Sequence, residues 1–364
     1  MTGTTVFFVE DPGAVNCIAP VVEHFQAAGA PLVLFSGGHA TALLRDRGLT
    51  PQPADVSTVD HGTRLLVVGT SENPRSPAFA LVEAARATGV PSVAIIDSGA
   101  NSALRFRGLS DSPLAYAPDW LLVPDESTQR DYVALGLALD RVLVVGHPND
   151  DRVRAMAADF AARGKPAVRA EVFGRDVGSR KLLVFVSEIS DGLAPGEYRR
   201  RADYTLSGRG GRDLRTEIVV EELLDAVDAL AAEGLERPYL VLRRHPKESD
   251  ADLAGLAEAF DTVSCDGSPH ALIFAADLVV GMTTMLLAEA HLMGVPALAV
   301  LPRLREREWL APLREGAIPA VATRGDLRAR LRAALMSPKA APGAPTARHG
   351  TLARIVAVLE GAAR

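Results

Sequence analysis

The sequence predicts an α/β protein with two doubly wound, Rossmann-like domains. Short apolar runs alternate with Ala- and Leu-rich segments of helical period along most of the chain. The runs are apolar throughout rather than alternating with polar residues, as expected for parallel strands that helices cover on both faces. With 364 residues, and domains of about 100–200 residues each, the chain is long enough for two such sheets.

Six strands are expected in the first domain, residues 1–155. They are residues 6–9, 32–35, 65–68, 92–96, 120–123 and 142–145. The pattern then stops between residues 146 and 180, where an Ala- and Arg-rich helix is followed by several separate Gly and Pro residues. Because Gly and Pro interrupt helices and strands, this stretch is the predicted domain boundary.

Five more strands are expected in the second domain, residues 178–336. They are residues 181–186, 239–242, 262–265, 278–280 and 297–301. Residues 337–349 contain three Pro and are predicted to form a loop. Residues 350–364 are apolar at helical spacing, so we expect a final helix that packs back on the first domain.

Composition and charge describe an ordinary globular chain. Hydrophobic residues make up 48% of it and charged residues 23%, enough to bury a core. The net charge of −6 gives no general attraction to nucleic acid or to an anionic membrane, so neither is an expected partner. No apolar stretch is long enough to span a bilayer. Two cysteines, Cys17 and Cys265, cannot form a disulfide scaffold, which favours a cytoplasmic location.

A cluster of basic residues ends the strand at residues 239–242. Arg243, Arg244 and His245 follow the apolar run, and Pro246 closes it. Cations at the carboxyl end of a parallel strand suit phosphate oxygens, because Arg presents a planar fork of donors and His an N–H. The alternative is that His245 and Pro246 only end the strand, since Pro lacks the ladder donor. We favour phosphate binding, because three adjacent basic groups would otherwise only repel one another.

A hydroxyl-rich helix start follows the strand at residues 278–280. Thr283 and Thr284 lead into a helix whose first N–H groups have no partner within the helix, and such groups bind phosphates. Thr also suits the N-cap, a role that is compatible with phosphate binding. Glu289 lies about one and a half turns further on, where it faces either a ligand or solvent.

The loop after the first strand of the second domain combines hydroxyl and acidic groups. Ser187 and Glu188 begin it, and we assign them first to a nucleotide-binding loop. Residues 193–215 then contain six Arg and five Gly or Pro. They form either a mobile lid over phosphates or a solvated insertion, and the length of the loop favours the lid.

Three strand ends of the first domain carry candidate acid–base and acceptor groups. Asp11 follows the first strand, residues 69–73 follow the third, and Asp97 follows the fourth with Asn101 close behind. An ionised carboxylate within hydrogen-bond reach can deprotonate a hydroxyl group. Asp97 is therefore the first candidate base, Asp11 the second and His147 the third, and Asn101 and His147 are also candidate substrate-binding residues. A helix cap is the alternative role for Asp97.

No metal or cofactor is expected. The chain has eight His, but none of the HExxH, CxxC or EF-hand spacings that hold metal ions. It also lacks the GxxxxGK[ST] phosphate loop and the GxSxG turn of serine hydrolases.

These motifs resemble segments of GT-B glycosyltransferases, which consist of two Rossmann-like domains with an interdomain cleft. The His245-Pro246 pair and residues 277–284 are similar to the nucleotide-binding half of bacterial CMP-sugar (sialyl and Kdo) transferases and of CDP-glycerol glycerophosphotransferases. Residues 146–149, Gly-His-Pro-Asn, resemble the interdomain region of UDP-GlcNAc 2-epimerases, which share the fold. As architecture, the resemblance covers nearly the whole chain.

The resemblance implies roles for particular residues. His245 would bind the donor phosphate, and Glu289 would hold the ribose hydroxyls. Glu188 lies in a loop similar to an acidic motif that supplies the base in the sialyltransferases, although Ile189 and Ser190 interrupt the motif here. Catalysis without a bound metal is also implied.

The combined expectation is a cytoplasmic transferase that moves a sugar or polyol phosphate from a CMP-, CDP- or UDP-activated donor to a hydroxyl acceptor. The first domain is expected to bind the acceptor and the second the nucleotide donor. A nucleotide-sugar 2-epimerase and a non-catalytic sugar-nucleotide-binding protein are the alternatives. The sequence leaves homo-oligomerisation open.

Overall fold

The computed structural model describes residues 3–99, 101–175, 177–188, 198–245, 248–249, 253–338 and 350–363. In this part of the chain, two six-stranded sheets are present and every strand pair is parallel. The chain divides into two compact units. The first comprises Met1–Arg152 with Ala347–Arg364, and the second comprises Val153–Thr346. The predicted fold class, two doubly wound α/β domains, is confirmed.

The strands of the first unit are β1 (Thr4–Val9), β2 (Leu32–Ser36), β3 (Thr63–Gly69), β4 (Ser92–Ile95), β5 (Trp120–Val123) and β6 (Val142–Val144). Those of the second unit are β7 (Leu182–Val186), β8 (Tyr239–Arg243), β9 (Thr262–Ser264), β10 (Leu278–Gly281), β11 (Ala297–Val300) and β12 (Ala320–Val321). The orders across the sheets are β2-β1-β3-β4-β5-β6 and β12-β11-β10-β7-β8-β9.

The α-helices of the described residues lie between these strands and after the last one. They are α1 (Pro12–Ala27), α2 (Ala40–Asp46), α3 (Pro77–Thr88), α4 (Glu126–Ala134), α5 (Asn149–Arg163), α6 (Lys165–Phe173), α7 (Arg215–Ala232), α8 (Pro269–Ala275), α9 (Met285–Leu292), α10 (Ala311–Arg314), α11 (Arg324–Met336) and α12 (Thr351–Ala362).

Local sequence explains where the helices begin. Pro12, Pro77 and Pro269 each open a helix, where the missing N–H of proline costs no helical hydrogen bond. Ser76 and Ser268 cap the last two of these helices, since each side chain accepts a hydrogen bond from a first-turn N–H.

Each unit has its own core. In the second unit, β7 and β8 are buried at every residue because helices cover both faces of the sheet. In the first unit, α12 belongs to the core, since Ile355 and Leu359 are fully buried in the same apolar cluster as Ile18 of α1.

The strand orders create one topological switch point in each unit. In the first sheet the order reverses between β1 and β3, and in the second it reverses between β7 and β10. The connections that follow these neighbouring strands leave to opposite faces of the sheet, and ligands of open α/β sheets bind in the resulting crevice at the carboxyl ends. The two candidate sites therefore have defined places in the fold.

Candidate functional site

The switch point of the second unit brings together residues that the sequence separates widely. Ser187 directly follows β7, Glu188 comes next, and Thr283 lies two residues beyond β10. All three are predicted donor-site residues. The structure places Glu188 and Thr283 in direct contact.

Glu188 holds the loop between β10 and α9 with its carboxylate. The backbone N–H of Thr283 donates to Oε2 of Glu188 over 2.9 Å, and the Thr283 hydroxyl donates to Oε1 over 2.9 Å. Arg215, the first residue of α7, donates to the same Oε1. A carboxylate is favoured here by the cation and by the positive end of α9. An anion of the chain itself thus occupies part of the place predicted for a phosphate.

A buried chain of charges continues behind Glu188. Arg215 is only 1% exposed, and its Nε donates to Glu306 over 2.6 Å. The other carboxylate oxygen of Glu306 accepts from Arg303 over 2.7 Å, and the Arg215 guanidinium lies 5.2 Å from the centre of the Trp309 ring. Burial alone lowers the pKa of Arg215, but the charges of Glu188 and Glu306 outweigh burial and raise it. Arg215 is therefore a permanent cation under this site.

Ser187 and His245 share a second carboxylate, which could not be selected from its place in the sequence. The hydroxyl of Ser187 donates to Oε1 of Glu248 over 2.5 Å, and the backbone N–H of His245 donates to Oε2 over 2.7 Å. The carboxyl ends of β7 and β8 are thereby joined through Glu248. The predicted phosphate role of the His245 side chain stays a prediction, and Pro246 lies outside the described residues.

Arg243 and Arg244 have different surroundings from those predicted. The Arg243 guanidinium is buried and donates to the Ser264 hydroxyl over 2.9 Å and to the backbone oxygens of Asp266 and Gly267 over 2.5 and 3.3 Å. These contacts hold the segment after β9, and the predicted phosphate role of Arg243 stays a prediction. Arg244 donates to the Glu248 backbone oxygen over 2.9 Å.

Thr284 and Glu289 lie on α9 as expected. Thr284 is the N-cap, and its hydroxyl accepts from the N–H of Leu286 over 3.4 Å. Glu289 does not face solvent, since it is buried and 3.1 Å separates its Oε2 from Nε2 of His270 on α8. The alternative of a solvent-facing Glu289 is therefore wrong, and its ribose role stays a prediction.

The Arg-rich segment is held down where the structure describes it, at residues 198–215. Several of its Arg side chains pair with acidic groups, including Arg199 with Asp213 and Arg209 with Asp225. Arg200 instead donates to the backbone oxygens of Ser207 and Arg212. The Thr205 hydroxyl also donates to the backbone oxygen of Ala322 over 2.6 Å. These partners hold the described part of the segment against the second unit in the ligand-free chain. Whether the segment acts as a lid stays a prediction. Residues 189–197 lie outside the described residues.

The switch point of the first unit contains Asp97 in a fixed geometry. Oδ1 of Asp97 accepts from the Thr70 hydroxyl over 2.6 Å and from Arg105 over 2.8 Å. Arg105 is 6% exposed and also donates to Thr70 over 2.8 Å. Gly13 lies so close that a Cβ there would stand 2.2 Å from Oδ2 of Asp97. Among the described residues, no α-helix lies between Asp97 and β5, which argues against the cap alternative.

Asp11 has a different environment. It occupies the N-cap position of α1, but its side chain makes no cap hydrogen bond. Burial raises the pKa of Asp11 above its ordinary value, the hydrogen bond with Ser71 opposes this, and the charges of Glu10 and Asp97 raise it further. Asp11 consequently keeps its proton to a higher pH than a solvated aspartate.

Asn101 and His147 are tied into the first unit by local contacts. Asn101 adopts a left-handed backbone conformation with φ of 55°, and its side-chain amide donates to Glu72 over 3.0 Å. Nδ1 of His147 accepts from the backbone N–H of Asn149 over 3.2 Å, which leaves the ring proton on Nε2, 3.2 Å from Sγ of Cys17. Burial raises the pKa of the Cys17 thiol. Both His147 nitrogens are thus engaged, which argues against His147 as the base.

No group of three or more His, Cys, Asp or Glu side chains in the described ranges is arranged to hold a metal ion. No helix among the described residues is both long and apolar enough to cross a membrane.

Two parallel doubly wound sheets, each with polar groups gathered at its switch point, define a protein of the GT-B fold. Comparisons with solved structures agree. The UDP-GlcNAc 2-epimerase from Neisseria meningitidis bound to UDP-GlcNAc is similar over 98% of this chain and 100% of its own, with a TM-score of 0.60 and 13% identity. The UDP-GlcNAc 2-epimerase from Methanocaldococcus jannaschii is similar over 98% and 99%, with a TM-score of 0.64 and 11% identity.

A glycosyltransferase has the same fold. MurG from Acinetobacter baumannii is similar over 99% of both chains, with a TM-score of 0.58 and 11% identity. No protein-family model and no curated protein sequence matches the chain. The predicted resemblance to GT-B proteins, the 2-epimerases among them, is confirmed.

Proposed function

We propose that this chain is an enzyme acting on a nucleotide-linked sugar. The second unit binds the nucleotide through the hydroxyl, N–H and cationic groups at its switch point, and the first unit supplies the groups that move protons. Similar structures are bound to UDP-GlcNAc or UDP. UDP-sugars are therefore the first ligands to test, followed by CDP- and CMP-sugars.

The reaction that the first unit supports best is inversion at C2 of the linked sugar. The observation that carries this proposal is the pair Asp11 and Asp97, whose charges interact although their environments differ. Arg105 holds Asp97 in an ion pair, while burial raises the pKa of Asp11. A carboxylate held in an ion pair, near a second carboxyl whose pKa is raised, forms a pair suited to act as base and acid in one reaction.

The bond changes follow from the chemistry of a sugar. The proton on C2 becomes removable when the C1–O bond to the diphosphate breaks, because the C2–H electron pair then forms a C1–C2 double bond. The diphosphate leaves with the C1–O pair and is stabilised by the donors of the second unit. Asp97 takes the C2 proton, Asp11 returns a proton to the opposite face, and the diphosphate adds again to C1. Solvent resets the two carboxyls.

A solvent-exchange experiment tests this reaction. With UDP-GlcNAc in D2O, proton NMR should show the C2–H signal disappear while the 2-epimer accumulates with deuterium at C2. A protein that binds UDP-, CDP- and CMP-sugars without any exchange at C2 would refute the epimerase proposal. Binding with neither exchange nor transfer would identify a non-catalytic sugar-nucleotide-binding protein.

A sugar or polyol-phosphate transferase is the second candidate, supported by the similarity to MurG over the full chain. In that reaction Asp97 would deprotonate a hydroxyl acceptor, and C2 would keep its own hydrogen. Nucleotide release that depends on an added acceptor, with no deuterium at C2, would favour the transferase over the epimerase.

A further inference from the structure

The hydrogen-bond donors predicted to bind phosphate at the β7/β10 switch point already donate to two carboxylates of the chain. Glu188 accepts from the Thr283 N–H, the Thr283 hydroxyl and Arg215. Glu248 accepts from the Ser187 hydroxyl and the His245 N–H.

Both carboxylates are bound in the same way. In each, Oε2 accepts from a backbone N–H, over 2.9 Å in Glu188 and 2.7 Å in Glu248. In each, Oε1 accepts from a hydroxyl, over 2.9 Å and 2.5 Å respectively. A backbone N–H beside a hydroxyl is also a suitable pair of donors for two oxygens of one phosphate group. The chain thus contains two matching donor pairs, on the carboxyl ends of adjacent strands.

We propose that Glu188 and Glu248 are internal anions that occupy two phosphate subsites in the ligand-free chain, and that a ligand's phosphates displace them. The inference rests on the proposed function and specifies its substrate class. Two subsites favour a nucleoside diphosphate over a monophosphate, because a diphosphate accepts hydrogen bonds from both donor pairs and a monophosphate from only one.

The charges around Glu188 explain why displacement is required. The buried cations Arg215 and Arg303 are matched by Glu188 and Glu306, so the four groups together carry no net charge. An arriving phosphate therefore meets a neutral cluster with its donors in use. Glu188 is the member with the most exposed side chain, at 12% against 1% or less for Arg215 and Glu306. Its departure into solvent leaves a positive site with free donors.

Calorimetry with inorganic pyrophosphate and with UDP tests the inference on the full chain. Glu188→Gln and Glu248→Gln each remove one internal negative charge and keep the side-chain shape. We expect each variant to bind pyrophosphate about tenfold more tightly than the unmodified protein, as for one charge-assisted hydrogen bond gained.

Asp203→Asn is the matched control. Asp203 is 47% exposed and pairs with Arg303 and Arg305 over 3.5 and 3.4 Å, so its loss changes the charge of the same unit by the same amount. It makes no contact with Thr283 or Ser187 among the hydrogen bonds of the described residues. Its pyrophosphate affinity should stay within about twofold of the unmodified protein, as for an exposed ion pair.

Unchanged or weaker pyrophosphate binding in the folded variants overturns the inference, and so does an equal gain in Asp203→Asn. If Glu188→Gln fails to fold because Arg215 loses a partner, Glu248→Gln decides the question. The outcome is separable from that of the proposed function. Tighter pyrophosphate binding without exchange at C2 refutes only the proposed reaction, whereas exchange at C2 with unchanged affinities refutes only the inference.

Discussion

Asp11 and Asp97 show how two identical side chains acquire different chemistry. Each lies two residues beyond the end of a strand, and β1 and β4 are both neighbours of β3. Asp97 is held by Arg105 and Thr70, whereas Asp11 is half-buried beside other carboxylates. The contrast comes from the neighbours and not from the position along the strand.

Replacing Asp97 with Asn tests its assignment as the base. Asn keeps the shape and an acceptor for Thr70 but cannot take a proton, so kcat should fall by about 10²–10⁴-fold while nucleotide affinity is unchanged. Asp140→Asn, an exposed change in the same unit, is the control and should keep full activity. Normal turnover by Asp97→Asn would show that the base is another residue.

Asp11→Asn should change stability in a pH-dependent way. The pKa of Asp11 in the folded chain is raised above its ordinary value of 3.8. Between these two pKa values, the folded chain binds more protons than the unfolded chain. Stability from this group is therefore present at low pH and is lost as pH rises through the folded pKa. At neutral pH Asp11→Asn should raise the free energy of unfolding by less than about 1 kcal/mol, since solvent screens this half-buried group, and Tm should rise with it. The variant should also have a lower kcat, because the acid is lost.

Thermal unfolding at about pH 3 and at about pH 7 measures the stability effect. The gain from Asp11→Asn should vanish at the lower pH, where the carboxyl is neutral in both states. An equal Tm difference at both pH values would contradict the raised pKa.

The sequence predicted many of the residues that gather at the two switch points but few of their partners. Ser187, Glu188, Thr283, Asp11 and Asp97 could be found because polar residues at the ends of apolar strands meet at one sheet edge. Glu248 could not be found, because only the fold brings it to Ser187. The contacts of the Arg243 side chain could not be predicted either, because the backbone oxygens that it binds belong to a loop more than twenty residues away.

Elements were predicted better than side-chain contacts. Each predicted strand is present, because every one is an apolar run between helical segments, and the ends agree closely, as for residues 181–186 against β7. Strand β12 was missed, since it has only two residues, Ala320–Val321, and no pattern can be recognised in so short a run. The contacts of the Arg-rich segment with acidic groups on α7, such as Arg209 with Asp225, could not be assigned from sequence.

The start of α1 is packed against Asp97, which gives a prediction for Gly13. A Cβ at Gly13 would meet Oδ2 of Asp97 at 2.2 Å, so Gly13→Ala must displace the carboxylate or the helix. We expect a loss of about 1–3 kcal/mol in the free energy of unfolding, typical of overpacking, together with lower kcat.

Gly361→Ala in α12 is the matched control for this helix substitution. No atom lies within 4 Å of a Cβ placed there, so the change should stabilise the helix, by roughly 0.5–1 kcal/mol. Chemical denaturation of both variants measures the two effects. A Gly13→Ala variant as stable and active as the unmodified protein would show that α1 and Asp97 do not need this close contact.

At the scale of the whole molecule, the two units have separate cores. A nucleotide that binds one unit is therefore expected to stabilise that unit. UDP at 100 times its Kd should stabilise the unit that binds it by about 2.7 kcal/mol. Hydrogen exchange should then slow in the second unit, at Ser187 and Thr283 and along β7 and β10. Protection confined to the first unit would show that the nucleotide binds there and not in the second unit, as proposed.

The first unit contains segments that lie far apart in the sequence, Met1–Arg152 and Ala347–Arg364, which affects the order of folding during translation. Ile355 and Leu359 of α12 are fully buried in the core with Ile18, although more than 330 residues separate them along the chain. All strands of both sheets therefore leave the ribosome before α12, the helix that completes the first core. The second unit, one continuous stretch, can finish folding earlier, while the first unit waits with an uncovered apolar face on α1. During translation this face is the part of the nascent chain that chaperones would be expected to shield.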